Sequence, residues 1–163
     1  MSAKNLFLIL FLTAFVCSNS IAQTYTYIGA AKCKMCHNKT TTGQQYKKWS
    51  EGPHANAMSS LKEAEKKNPK CLKCHSTAAS VDKSLVGTMT VEEGVTCEAC
   101  HGPGSAYKSA SVMRDRKAAV AKGMIIPDEK LCKKCHNSES PTFKGFDYAK
   151  YLAKIAHLNP ANQ

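Results

Sequence analysis

Eight of the nine cysteines in this 163-residue chain fall in four copies of one pentapeptide, Cys-x-x-Cys-His. The copies are Cys33, Cys36 and His37; Cys71, Cys74 and His75; Cys97, Cys100 and His101; and Cys132, Cys135 and His136. At the chain's own cysteine and histidine frequencies, about 0.02 copies would arise by chance, so the pattern is a repeated functional unit. A single copy is compatible with an attached haem, a zinc site or a redox dithiol. Four copies narrow the choice. A plain disulfide framework has no reason to put histidine after every second cysteine, and the separations between copies miss the usual zinc-ribbon spacing. Covalent haem explains the pattern: two thiols three positions apart each add to one vinyl group, and the adjoining imidazole binds the iron from the same side.

That reading constrains the fold. Lys4, the apolar run 6–16 and the small-residue pattern Ser20-Ile21-Ala22 read as a secretory signal peptide over 1–22, cleaved before Gln23, with Cys17 removed along with it. Eleven apolar residues are too few to span a bilayer comfortably. Export places residues 23–163 in the periplasm as one domain. Four haems in a chain of that size leave too little polypeptide for four separate pockets, so the macrocycles themselves must supply much of the core.

Charge follows the same logic. The formal +11 falls by one with the leader, and eight ionised propionates bring the loaded protein to about +2. Its lysines offset propionates or form a docking face for an acidic redox partner. No basic cluster interleaved with aromatics marks a nucleic-acid module.

Between the motifs the Lys-rich sequence reads as short helices and loops with little strand. Helical spacing predicts a helix from His54 to about Lys66, aligning His54, Met58, Leu61 and Glu65 and ending before Pro69. Segment 85–95 reads as a hairpin or irregular loop. A short helix over 114–122 ends at Gly123, and Pro127-Asp128-Glu129 starts the turn into the fourth motif. A last helix over 147–158 is capped by Asp147, with His157 beside Ala149, Ala153 and Ala156.

Six histidines occur, and four lie in the motifs, so only His54 and His157 remain for the opposite faces of the irons. At most two centres are bis-histidine. Methionine is the obvious substitute elsewhere, and Met113 lies twelve residues after His101.

The strings KCKMCH, HANAMSSL, KCLKCH, GVTCEACHGPGSAY, LCKKCH and the late IAH resemble the cytochrome c-554 family of tetrahaem cytochromes, from about Lys32 to His157. The resemblance implies a mainly α fold of short helices and loops wrapped around four stacked haems. It implies an electron carrier that works with redox partner proteins and is not an enzyme. By position it makes His54 the distal ligand of the His101 haem and His157 that of the His136 haem. The family's remaining distal histidine has no counterpart here: Ser111 stands in its place, and Met113, two residues on, becomes the ligand of the His37 haem. The His75 haem is then five-coordinate, and Ser140-Pro141-Thr142-Phe143 resembles the family's apolar loop over it. The alternative is an enzyme or sensor that binds or reduces a small nitrogen compound, nitric oxide or hydroxylamine, at that open haem.

Overall fold

The computed structural model describes residues 24–160, and the leader over 1–22 with Cys17 lies outside that range. Among the described residues the chain is mainly helical, and its one β feature is an isolated parallel bridge between Tyr27 and Val86. None of these helices is long and apolar enough to cross a membrane.

Each motif occupies about one helical turn. The first closes α1 (Ala30–His37), after which α2 (Gln45–Ser50) follows; the second closes α3 (Pro69–His75) and is trailed by α4 (Thr77–Ser80); the third is the whole of α5 (Cys97–His101). Beyond it come α6 (Ala110–Met113) and α7 (Arg116–Ala121), then α8 (Glu129–Cys132), which carries the first cysteine of the fourth motif. The rest of that motif turns helically, with the His136 N–H on the Cys132 carbonyl at 3.0 Å. A helical turn brings positions three apart onto one face, which the paired cysteines of each motif require.

Short polar side chains start several of these helices. Asn68 accepts from Lys70 N at 3.0 Å, with Pro69 at the first helical position of α3. Asp115 accepts from Lys117 N at 2.8 Å at the head of α7, and Asp128 from Leu131 N at 2.8 Å at the head of α8. The last helix, α9 (Tyr148–Ile155), is capped as expected by Asp147, which accepts from Lys150 N at 3.0 Å. Segment 85–95 is an irregular loop around a 3-10 turn at Val91–Glu93.

Two expectations fail. The predicted helix from His54 is instead a pair of 3-10 turns, Ala57–Ser60 and Glu65–Lys67, with Leu61 extended between them. Local side chains compete for its carbonyls: Ser59 Oγ donates to Asn56 O and Ser60 Oγ to Ala57 O, each at 2.7 Å. The His54 carbonyl is diverted to the distant Val95 N–H at 3.0 Å. At the other end, α9 stops at Ile155, so His157 lies past the helix. Ala156 is extended (φ −58°, ψ 132°), and His157 Nδ1 bonds the Ile155 carbonyl at 2.8 Å. The alanines expected beside it, Ala149, Ala153 and Ala156, are exposed.

The protein-only core is thin. Its buried apolar residues among those described are Ile28, Ala30, Met89, Tyr107 and Ala119, while the largest fully buried side chains are Glu98, Thr77, Thr96 and Ser76. A chain of this size normally hides far more hydrocarbon.

Candidate functional site

The densest hydrogen bonding in the molecule joins the start of α1 to the third motif. Glu98 is 1% exposed. Its carboxylate accepts from Ile28 N (3.0 Å to either oxygen), Gly29 N (2.8 Å) and Gly104 N (2.6 Å). Glu93 takes the next donor, Ala30 N, at 2.9 Å and also Thr90 N at 3.0 Å. Orphan N–H groups at a helix start thus meet carboxylates from about 65 residues away, the electrostatically favoured arrangement. Gly29 adopts φ +84°, and a Cβ there would sit 3.0 Å from Glu93 Oε1, so both conformation and space call for glycine.

The Gly102-Pro103-Gly104 turn packs equally closely. A Cβ at Gly104 would lie 3.0 Å from both Glu98 Oε1 and Ile28 Cδ1. Tyr107 OH donates to the carbonyls of His101 (3.0 Å) and Gly102 (2.8 Å), fixing the chain as it leaves the motif.

Thiols from different motifs meet. Cys33 neighbours Cys97 and Cys74 neighbours Cys135, while Cys100 lies within electrostatic reach of Cys132 and Cys135. The neighbouring Cys97 holds the Cys33 thiol low, and Cys33 together with burial pushes Cys97 up. Burial pushes Cys135 up to about 12. The four motifs therefore neighbour one another in the order first, third, fourth, second. All eight cysteines are unpaired, and among the described residues no group of three or more His, Cys, Asp or Glu side chains is arranged to hold a metal ion by itself.

The two spare histidines complete the arrangement. The rings of His54 and His136 are 6.0 Å apart between centroids at an interplanar angle of 63°, and those of His101 and His157 are 6.0 Å apart at 74°. A metal held by two imidazoles at about 2.0 Å from each nitrogen, with about 1.1 Å from nitrogen to ring centre, separates the centroids by about 6.2 Å. Both pairs match that span. Burial lowers the pKa of His54, His101 and His136, favouring the neutral imidazole that binds metal. Three rings have Nδ1 on a backbone carbonyl: His75 on Ala57 (2.9 Å), His101 on Ile125 (3.2 Å) and His157 on Ile155 (2.8 Å). This leaves Nε2 free to ligate, the usual state of a metal-binding histidine.

These pairs are the reverse of those implied by the family resemblance. His54 faces His136 rather than His101, and His157 faces His101 rather than His136. The His54 carbonyl is tied to Val95, whose own carbonyl receives Trp49 Nε1 at 2.9 Å, so the His54 backbone is anchored just ahead of the third motif. After α9 the chain returns to the first-motif end, where Leu158 O and Pro160 close over Gly43.

Space and aromatic surface lie beside the imidazoles. A cavity of about 400 Å³ is bounded by His54, His75, Cys74, Val95 and His136. A second, of about 270 Å³, is lined by Cys135, His136, Phe143, Phe146 and Tyr151. The loop Ser140–Phe143 thus borders the fourth motif, and Lys73 and Glu139, in ion-pair contact, link its approach to the second motif. Phe146 stacks on His136 (4.8 Å, 17°) and Tyr151 on Phe146 (5.3 Å, 11°). Met113 ends α6 half-buried, whereas Met89 is 4% exposed and accepts from Thr96 Oγ1 at 3.5 Å, a packing role.

Sequence reasoning missed Glu98, Glu93, Tyr107 and Phe146. For Glu98 a signal was present: it is the only acidic residue inside any of the four motifs.

The matching protein family is described as cytochrome c554 and c-prime, and residues 32–102 align with it. Cytochrome c-554 of Nitrosomonas europaea is 30% identical over 161 residues, covering 77% of this chain and 64% of the relative. The chain therefore spans just under two thirds of that relative's length. No solved structure matches it. Over residues 32–102 the chain is similar to the cytochrome c554 and c-prime family, and across most of its length it is similar to this cytochrome c-554.

Proposed function

We propose that the protein is a periplasmic electron carrier that holds four covalently attached haems and shuttles electrons between redox partner proteins. The observation that carries this reading is the pair of facing imidazoles at the span of a bis-histidine metal centre, each including a motif histidine. Bound haem supplies one-electron chemistry at iron. The protein's own residues do the rest. Cys33 and Cys36, Cys71 and Cys74, Cys97 and Cys100, and Cys132 and Cys135 hold the groups. His37, His75, His101 and His136 bind from the proximal side, His157 completes the His101 centre, and His54 completes the His136 centre. The carbonyl-bonded Nδ1 atoms of His75, His101 and His157 and the Phe146 stack on His136 limit ring rotation and so reduce rearrangement on electron gain or loss.

With both spare histidines used, the His37 and His75 centres need other ligands. Met113 serves the first, and the second stays open. Adjacent thiols support close spacing in the order first, third, fourth, second, which suits rapid transfer and storage of up to four electrons.

Mass spectrometry should find four haems, and fewer would defeat the tetrahaem reading. In redox-monitored spectroscopy, His54→Ala and His157→Ala should each convert one low-spin centre to high-spin; no change in either would sink the ligation. A Met113→Ala variant with an unchanged spectrum and highest potential would remove the thioether assignment. Nitric oxide should bind at one centre in the wild type, and turnover of a small nitrogen compound there would favour an enzyme.

A further inference from the structure

The two facing-imidazole centres have the same ligands but opposite local charge. Inside the third motif stands Glu98, buried, with Cys97 and Cys100 on either side of it. Inside the fourth stand Lys133 and Lys134, both exposed, with Lys133 paired to Glu129 at 2.7 Å. Water and salt screen the lysines, while a carboxylate with 1% exposure keeps its field.

Every partner of the Glu98 oxygens is a backbone N–H, which suits acceptor-only carboxylate oxygens. No ion pair among the described residues involves it. Its charge is felt nearby: burial first and Glu98 second raise the pKa values of the Tyr27 and Tyr107 phenols. Cys33 and Cys97 also lie within its field.

We infer that Glu98 is a built-in charge that lowers the reduction potential of the third centre below that of the fourth, giving electron transfer between these two centres a fixed downhill direction from the third to the fourth. The inference rests on the bis-histidine reading above. A buried negative charge stabilises the oxidised iron, which carries one more positive charge than the reduced form, and low local polarity enlarges the effect. Hydrogen bonding by three backbone amides orders the carboxylate without neutralising it.

An electron-paramagnetic redox titration of the loaded full-length protein tests this. The signal abolished by His157→Ala marks the third centre and that abolished by His54→Ala the fourth. In the wild type the His157-dependent signal should titrate at the lower potential, with the gap persisting at high salt. Glu98→Gln should shift that signal positive and leave the other nearly unmoved. Glu98→Asp, which loosens the contacts but keeps the charge, should shift it less. A His157-dependent signal at or above the other would overturn the inference, as would equal shifts in the Gln and Asp variants. Should Glu98→Gln fail to load, the wild-type order still decides. If neither alanine variant removes a low-spin signal, the ligation reading has failed instead.

Discussion

Gly94 precedes the third motif by three residues and supports the fourth centre. Its backbone (φ 70°, ψ −143°) lies in territory essentially reserved for glycine, and occupying it with alanine costs about 1–3 kcal/mol. A Cβ there would stand 2.8 Å from the Ala55 carbonyl and 3.0 Å from that of His54, where ordinary contact begins near 3.4 Å. The 54–55 backbone must then withdraw by about 0.5 Å, against a metal–ligand tolerance of roughly 0.2 Å. Gly94→Ala is therefore expected to lower the thermal midpoint by on the order of 5–10 °C. It should also turn part of the His54-dependent low-spin signal high-spin while sparing the His157-dependent one. Gly145→Ala is the control: it has φ +95° with nothing within 4 Å, so it carries the conformational strain without the push. A Gly94→Ala protein whose melting and spectrum match the wild type would refute this account of how His54 is held. So would equal spectral loss in the control.

Other perturbations probe the remaining supports. Tyr107→Phe leaves the His101 and Gly102 carbonyls without their phenol donor and should cost about 1–3 kcal/mol, read by denaturant unfolding at constant haem content. Asp147→Ala removes the α9 cap; a loss of about 1 kcal/mol and a broadened His157-dependent signal are expected. Lys73→Met breaks an exposed ion pair and should leave melting unchanged at physiological salt. Replacing Cys71 and Cys74 by alanine should reduce the mass by one haem and raise protease sensitivity around α3, checked by mass spectrometry and limited digestion.

The parts of the fold legible in the sequence are those with local causes. Asp147 caps a helix because a carboxylate one residue upstream of an apolar turn satisfies free N–H groups. The four motifs were equally plain, since the attachment chemistry fixes their internal spacing. The helix expected from His54 failed because the competing partner, Val95, is 41 residues away, and periodicity carries no record of it. The ring contacts of His54 with His136 and of His157 with His101 join residues far apart in sequence, so periodicity carries no record of them either. Glu98 was visible as an oddity of composition, but its role depends on burial, which the single chain conceals.

The meeting of thiols from different motifs bears on how the protein is made. On the proposed reading, neighbouring thiols of different motifs, Cys33 with Cys97 and Cys74 with Cys135, compete between disulfide formation and haem attachment in an oxidising compartment. Either bridge would block haem attachment in two motifs at once. On that reading, maturation must keep these thiols reduced until the thioethers form.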